Sequence, residues 1–391
     1  MPGRITLPIL PAARIGIVGS GFIAAGLLAL LTTTPDLRPV KVLSRRHPTE
    51  LNGLIGDLHT GSTDELIEAS DVVVECSGDV HHAAEVIDKA LRAGKPVVTM
   101  GTEFHVTVGS CFHGRGLLTE AEGDQPGSLA AFNEEILDMG FKPLVYGNIK
   151  GFLNHHPSAE EMSYWSDRQG ISVPQVTSFT DGTKMQMEQA FIGNGVGAGL
   201  LTRGMVGPVG MDLREGAELL AARAKIDGRP VADYLLNHRL PAGVFIVAEH
   251  PGAPVEVMRY FKLGEGPYYT LLRPYHLCHL EMPRTIRRVL TGGGKLLDNG
   301  AHPALGVCAV TKATLDPGQR IERSIGGPWL RGEAFTLAEI PGAAPLGLLG
   351  GATLRRRVHS GDTVMLDDVD LPDTLAVRMW LAMRESSRAR A

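Results

Sequence analysis

An α/β fold in three parts is the arrangement that this sequence predicts. In the first third of the chain, short β-branched runs alternate with helical segments, which is typical of a doubly wound parallel sheet. From about residue 156 this alternation is lost and the pattern becomes mixed α and β. The last part contains two similar strand–turn–strand segments, which indicate a small β-rich domain. We therefore predict domains over residues 1–155, 156–300 and 301–391.

The first domain begins with a β-branched strand that enters a glycine turn. Arg14–Val18 leads into a Gly-x-Gly-x-x-Ala sequence that ends at Ala24, and an apolar helical stretch follows. In this context the motif is that of a Rossmann dinucleotide-binding domain, whose helix N-terminus presents free N–H groups to a pyrophosphate. The residues predicted to bind this part of the cofactor are Gly19, Ser20, Gly21, Phe22 and Ile23.

The end of the next strand predicts which dinucleotide binds. Val40–Leu43 stops at Ser44, Arg45 and Arg46, where a site selective for NAD would usually carry an acidic residue. A hydroxyl and two guanidinium groups suit a 2′-phosphate, so we predict NADPH in preference to NADH. The alternative is that the two arginines lie in an ordinary solvated turn.

Two later strands end in residues that we expect beside the nicotinamide. Residues 71–76 and 95–100 have the composition of buried parallel strands. Ligands of open α/β sheets bind beyond the carboxyl ends of such strands. Ser77, Gly78 and Thr102 are therefore predicted cofactor residues, and Glu103 is predicted to contact the substrate.

The composition argues against several other classes of protein. The formal net charge is −5 and no basic face is evident, so we expect neither nucleic-acid nor membrane binding. The four cysteines form no C-x-x-C pair, which argues against a disulfide framework or a zinc knuckle. The longest apolar helical run, residues 22–31, is too short to span a bilayer and follows no signal-peptide pattern. We expect a cytoplasmic protein.

The second domain carries the strongest candidate for proton transfer. Asp181 is predicted to cap a helix on which Lys184 and Glu188 lie four residues apart, on one face among apolar residues. We predict Lys184 as proton donor and oxyanion partner. Glu188 would orient Lys184, or share a substrate hydroxyl or a metal ion. The alternative is an ordinary surface ion pair.

Further polar residues are candidates for catalysis or substrate binding. Asp124 lies in a Gly-Asp-x-Pro-Gly turn and either contacts the substrate or forms an Asx turn. Carboxylates at Asp181, Glu188, Glu103 and Asp124 are available to a divalent cation, but no spacing identifies a metal site. Arg273 and His276 suit a phosphate or carboxylate clamp, the alternative being a surface arginine and a core histidine. The predicted substrate-binding residues are Lys150, Asn154, Asn194, Arg273, Tyr275 and His276.

Several longer segments resemble one known family. These segments are the Gly19-x-Gly21 turn, residues 102–109, 122–127, 181–184 and 266–277, and the repeated glycine turns near the end. Together they are similar to bacterial homoserine-dehydrogenase-like oxidoreductases with a C-terminal SAF (antifreeze-like) domain, of the 1-deoxy-D-xylulose 5-phosphate reductoisomerase-like type. The resemblance covers nearly the whole chain. It implies a Rossmann domain, an α+β catalytic and dimerisation domain and a SAF domain.

The resemblance also implies a function. It suggests an NADPH-dependent oxidoreductase acting on a small polyhydroxylated or phosphorylated carbonyl compound. A reductoisomerase would also rearrange the carbon skeleton, a step that usually needs a divalent cation such as Mg²⁺ or Mn²⁺. The alternatives are a simple alcohol dehydrogenase without rearrangement and a non-catalytic NADPH-binding regulatory protein. By analogy with the fold, we expect a homo-oligomer.

Overall fold

The computed structural model describes residues 12–51 and 53–388. Its N-terminal part is a six-stranded, fully parallel sheet with the order β3-β2-β1-β4-β5-β6. The strands are β1 (Ala13–Val18), β2 (Leu37–Leu43), β3 (His59–Thr60), β4 (Val72–Glu75), β5 (Val97–Thr99) and β6 (Leu118–Glu120). This is the strand order of the doubly wound dinucleotide-binding fold, and it confirms the predicted Rossmann domain.

Helices cover both faces of this sheet, because its central strands are largely apolar and buried. The helices of this part are α1 (Phe22–Leu31), α2 (Gly53–Asp57), α3 (Thr63–Ala69), α4 (Val80–Arg92) and α5 (Thr102–Val108). The next helix, α6 (Gln125–Asp138), packs instead in the core of the second sheet described below. Helix α4 begins at Val80, directly after Asp79, because the Asp79 carboxylate accepts hydrogen bonds from the His81 and His82 N–H groups.

The glycine turn between β1 and α1 has the geometry that its sequence predicts. Gly19 has a φ of +111°, and a Cβ atom built there would lie 2.9 Å from the Cys76 carbonyl oxygen. Only glycine fits this position without strain. The turn therefore brings the start of α1 directly beside the end of β4.

A second, four-stranded sheet has the order β10-β9-β7-β8, in which only β7 and β8 are parallel. Its strands are β7 (Lys142–Lys150), β8 (Val231–Leu236), β9 (Val244–Glu249) and β10 (Tyr269–Arg273). The predicted domain boundary at residue 155 does not coincide with the division between the sheets, because β7 already belongs to the second sheet.

Six helices accompany this second sheet. They are α7 (Ala159–Gln169), α8 (Val173–Thr180), α9 (Thr183–Val196), α10 (Leu213–Asp227), α11 (Val255–Tyr260) and α12 (Met282–Leu290). Helix α12 packs back on the apolar side chains of α1 and β1, so it joins the core of the first sheet. Helix α9 is buried from Thr183 to Gly193. It lies between the second sheet and the C-terminal strands.

The C-terminal part is rich in short strands, as the sequence predicts. Strand β11 (Leu305–Thr311) pairs antiparallel with β12 (Leu330–Thr336), and β13 (Thr353–Leu354) pairs with β14 (Val369–Asp370). Helix α13 (Leu375–Arg388) follows. Within residues 12–51 and 53–388, no helix is both long enough and apolar enough to cross a membrane.

The two similar strand–turn–strand segments of this part, residues 310–321 and 354–364, pair with each other. Leu315 and Val358 exchange both backbone hydrogen bonds, at 2.9 and 3.0 Å. The pairing is reciprocal on either side: the Gly318 N–H donates to the Leu354 carbonyl, and the Gly361 N–H donates to the Thr311 carbonyl. The sequence repeat is therefore a local two-fold arrangement of backbone.

Candidate active site

One cleft of about 1930 Å³ collects most of the predicted functional residues. It opens at the carboxyl ends of the parallel strands, where ligands of this fold class bind. Its walls are the glycine turn, the ends of β2 and β4, the α7–α8 segment, one side of α9 and residues 320–325 and 347–351 of the C-terminal part.

The glycine-turn side of the cleft fits the pyrophosphate of a dinucleotide. Gly19, Ser20, Gly21, Phe22 and Ile23 all line it. The first turn of α1 has no side-chain cap and no acidic residue, so its free N–H groups and positive end are unopposed. A Cβ atom at Gly21 would meet nothing within 4 Å, which leaves room for a phosphate to approach. Ser77 and Gly78 also line the cleft.

The end of β2 presents a hydroxyl and two arginines, as predicted. Ser44 Oγ lies 2.9 Å from Ser20 Oγ, so these two predicted cofactor residues are joined. The Arg45 guanidinium forms a 2.7 Å ion pair with Asp79, whereas Arg46 is exposed at the cleft wall. Only one of the two predicted phosphate ligands is therefore free of a carboxylate partner within the described residues.

The inner part of the cleft is built around a buried ammonium group. Lys184 Nζ lies 2.9 Å from Asp124 Oδ2 and 3.2 Å from Glu103 Oε1, and only 8% of this lysine is exposed. Asp124 precedes α6 but makes no side-chain cap there, so its carboxylate is directed to Lys184 and to the Thr102 hydroxyl, 3.0 Å away. Asp124 therefore forms no Asx turn, and Lys184 forms no surface ion pair with Glu188.

Glu188 belongs to an adjoining polar network. Asn148 Nδ2 donates to Glu188 Oε2 (2.9 Å) and to Gln125 Oε1 (2.8 Å), and Lys150 Nζ donates to Gln125 Oε1 (3.2 Å). Gln125 Nε2 lies 3.2 Å from His276 Nε2. We call the group formed by this network and the Lys184 cluster the inner site. Its members are Glu103, Asp124, Gln125, Asn148, Lys150, Lys184, Glu188 and His276.

Burial and mutual attraction shift the pKa values of the inner site in opposite directions. Burial opposes the charge of Lys184, but the attraction of Asp124, Glu103 and Glu188 outweighs it, so its pKa lies well above the ordinary range. Burial would also raise the pKa of Asp124, yet Lys184 lowers it to about 2. For Glu188, burial dominates over the attraction of Lys150 and raises the pKa to about 7. The site thus holds a permanent ion pair and one carboxyl that titrates near neutrality.

Five predicted site residues lie elsewhere. Asp181 forms a buried 2.8 Å ion pair with Lys312. It follows α8 and is not the N-cap residue of α9, which is Gly182, but its carboxylate accepts a 3.0 Å hydrogen bond from the Thr183 N–H. Arg273 pairs with Glu122 at 2.7 Å and with Glu281. The remaining three do not line the cleft either. Thr102 is fully buried behind Asp124, Asn194 binds the Ala304 and Leu305 backbone, and Tyr275 stacks on Arg273.

Three polar residues near the cleft are not among the predicted site residues. Gln125 and Asn148 bridge the Lys184 and Glu188 parts of the inner site. Asn148 and Lys150 lie two residues apart on β7, and this alternation could have placed both on one face. Glu75, at the end of β4, is buried against the Ser77 N–H, and burial raises its pKa to about 7. A glutamate that ends an apolar strand was the available signal.

No metal site is apparent in the described part of the chain. No group of three or more His, Cys, Asp or Glu side chains there is arranged to hold a metal ion. Glu103 and Asp124, two of the carboxylates considered as ligands, are instead neutralised by the Lys184 ammonium.

Two family models match the chain. Residues 19–106 match the NAD-binding domain of homoserine dehydrogenase, and residues 123–282 match the catalytic domain of oxidoreductase DRL. The first match contains the glycine turn, and the second contains Asp124, Lys184 and His276. The chain is an NAD(P)H-dependent oxidoreductase. No curated protein matches its sequence.

Solved structures with a related chain trace are distant. UDP-N-acetylglucosamine 3-dehydrogenase from Acidithiobacillus ferrooxidans is 11% identical, with a TM-score of 0.42 over 74% of this chain and 93% of that one. A myo-inositol dehydrogenase from Corynebacterium glutamicum is 12% identical (TM-score 0.43; 72% and 90% covered). A scyllo-inositol dehydrogenase from Lactobacillus casei is 11% identical (0.42; 72% and 90%). Similarity this low defines no substrate for the present chain.

Proposed function

We propose that the protein uses NADPH to reduce a small polyhydroxylated or phosphorylated carbonyl compound, with Lys184 as the proton donor. The observation that carries this proposal is the buried Lys184 ammonium, held by Asp124 and Glu103 in the same cleft as the glycine turn. A cationic acid beside the site of hydride transfer is what carbonyl reduction needs.

The residues divide the chemistry as follows. The glycine turn would hold NADPH, which would supply the hydride for the carbonyl carbon when bound. Lys184 donates a hydrogen bond to the carbonyl oxygen, stabilises the negative charge that develops there and gives it a proton. Asp124 and Glu103 keep Lys184 protonated at rest, because they raise its pKa. A resting acid favours the direction of reduction over alcohol oxidation, which needs a base in this position.

The polar groups around Lys184 support a substrate rich in oxygen. Gln125, Lys150 and His276 line the cleft next to it and offer an amide, an ammonium and an imidazole. Burial lowers the pKa of His276, although Asp124 opposes this, so a neutral imidazole is favoured at pH 7. Such groups bind hydroxyl and phosphate oxygens. Asn154, which also lines the cleft, lies on the side of Lys150 and is assigned to the same role.

The preference for NADPH rests on the end of β2. No carboxylate directly follows this strand, whereas Ser44 and Arg46 are available to a 2′-phosphate.

We also propose that residues 301–391 form a SAF-like domain, which the reciprocal β pairing of that part supports, and that the protein is a cytoplasmic homo-oligomer. Exposed Tyr260 and Phe261 on one side of the second domain are consistent with contact between copies, and light scattering tests it.

The family resemblance also implies a rearrangement of the carbon skeleton, and the proposed reaction does not include that step. Reduction uses only the groups that the cleft presents, whereas a reductoisomerase would use a divalent cation. Turnover of a keto-sugar phosphate that requires Mg²⁺ or Mn²⁺ and stops with a chelator would restore the reductoisomerase. Turnover unaffected by a chelator supports simple reduction.

The experiment is a panel of carbonyl substrates assayed with NADPH and with NADH, using the parent protein and two lysine variants. We expect NADPH-dependent turnover by the parent, and a loss of about 10²- to 10⁴-fold in kcat for Lys184→Met, because general acid catalysis contributes this much. Lys142→Met, at an exposed lysine that begins β7, should retain parent activity. Full activity of Lys184→Met on a validated substrate would overturn the assigned role.

A further inference from the structure

The outer end of the cleft is lined by two domains at once. On the dinucleotide-binding side it contains Arg45 and Arg46 after β2, and His81 and His82 at the start of α4. On the C-terminal side it contains Arg320, Arg323 and Ser324, together with Gly350 and Gly351. We call these residues the outer end of the cleft. None of the C-terminal residues belongs to a predicted cofactor motif.

Contacts hold the two sides of this outer end together. His81 Nδ1 lies 2.9 Å from the Thr374 hydroxyl, a link between α4 and the segment before α13. A Cβ atom built at Gly350 would lie 4.0 Å from His81 Nε2 and 3.8 Å from Ser324 Oγ. Gly350 therefore lies between the first turn of α4 and the segment that carries Arg323. The two walls meet beside the loop where Asp79 pairs with Arg45.

The charges at the outer end are only partly balanced. Arg45 is paired with Asp79, and Arg320 is paired with Glu322 at 3.3 Å. Across residues 12–51 and 53–388, Arg46 and Arg323 have no ion-pair partner, and both are exposed at the cleft. Two free guanidinium groups at one end of a cleft suit a dianionic phosphate, which guanidinium binds through paired hydrogen bonds.

We propose that Arg323 of the C-terminal part binds the 2′-phosphate of NADPH together with Arg46. This inference rests on the proposed use of NADPH. The start of α1 fits the pyrophosphate, and in this fold the adenosine ribose then lies at the end of β2. That position is the outer end of the cleft. The C-terminal part thereby acts as a component of the cofactor site as well as a support for α9.

Binding measurements test the proposal without an assay of turnover. Dissociation constants for NADPH, NADH, adenosine 2′-monophosphate and adenosine 5′-monophosphate are measured by calorimetry on the full chain. For Arg323→Ala we expect about tenfold weaker binding of NADPH and of the 2′-monophosphate, because one charged contact is removed. NADH and the 5′-monophosphate should bind as they do to the parent. Arg357→Ala removes an exposed arginine of the same domain that does not line the cleft, and it should leave all four constants unchanged.

The outcomes separate this inference from the proposed function. A parent protein that binds NADH as tightly as NADPH would refute the cofactor preference, and the role of Arg323 with it. A parent that prefers NADPH, combined with unchanged binding by Arg323→Ala, would refute the role of Arg323 alone. An equal loss of NADPH and NADH would likewise overturn it, because Arg323 would then act on a part that the two cofactors share.

Discussion

The inner site and the outer end of the cleft differ in the burial and in the pairing of their charged side chains. In the inner site, Lys184, Asp124 and Glu188 are almost fully buried, and each has polar partners within the protein. At the outer end, Arg46 and Arg323 are exposed and have no carboxylate partner in the described part of the chain. The first arrangement fixes the position of the reacting groups and keeps Lys184 and Asp124 charged, and the second leaves charge available to a ligand.

This difference predicts how substitutions rank. A buried ion that loses its partner costs several kcal/mol, since neither water nor another group replaces the contact. An exposed arginine contributes mainly when a ligand binds it, and its removal leaves the fold intact. Four substitutions, from the largest expected effect to the smallest, test whether the contrast holds.

The ion pair between Asp181 and Lys312 connects the start of α9 to the C-terminal part, and both side chains are buried. Lys312→Met leaves the Asp181 carboxylate unpaired, so we expect about 3–5 kcal/mol lower free energy of unfolding. Urea denaturation measures it. Lys295→Met breaks a pair that is partly exposed and should cost at most about 1 kcal/mol. Equal losses in the two variants would remove the distinction between buried and exposed pairs.

Asp124 stabilises the Lys184 ammonium at 2.9 Å. Asp124→Asn removes this attraction, so the pKa of Lys184 falls and its position relaxes. We expect about 10²-fold lower kcat, comparable to the loss of one general-acid contribution. Steady-state kinetics gives the value, and Asp138→Asn at the exposed end of α6 is the control. An increase in KM with an unchanged kcat would show that Asp124 binds the substrate without acting through Lys184.

Glu188 has a pKa of about 7 in the folded protein, because burial raises it from 4.5. At pH values between these two pKa values, Glu188 holds a proton in the folded protein that it has released in the unfolded chain. The free energy of unfolding therefore falls as the pH rises through this window. Glu188→Gln should reduce this loss of stability by up to about 3 kcal/mol, as urea denaturation at several pH values across the window would show. Glu75, whose pKa is also about 7, retains its own share of the pH dependence. Identical profiles for parent and variant would contradict this assignment.

Arg46 is the exposed partner that the end of β2 offers to a 2′-phosphate. Arg46→Ala should weaken NADPH binding by about tenfold, which corresponds to about 1.4 kcal/mol, and leave NADH binding unchanged. Calorimetry distinguishes the two ligands. Arg38→Ala, in the same strand–loop segment but outside the cleft lining, serves as the control. Weakening of both cofactors would show that the residue contacts a part common to them.

The sequence predicted those features that depend on local pattern. The glycine turn, the parallel sheet and the position of Lys184 on a helix follow from short-range spacing and from the rule for strand ends. The partners of Arg273 and Asp181 could not be predicted, because Glu122 and Lys312 lie more than a hundred residues away along the chain. Both residues have the chemistry of a ligand-binding group, but each is already held in an ion pair with a buried carboxylate or ammonium partner. The membership of β7 in the second sheet depended on long-range pairing in the same way.

The reciprocal hydrogen bonds around Leu315 and Val358 make each of the two repeated segments depend on the other for its backbone pairing. Each of the two segments supplies the backbone partners that the other lacks, as two subunits do across a symmetric dimer. A chain with only one segment would present an unpaired edge, open to the matching segment of another molecule. Because the segment is duplicated, this pairing forms within one chain and needs no second molecule. The C-terminal strands that pack on α9 are therefore stabilised within a single polypeptide.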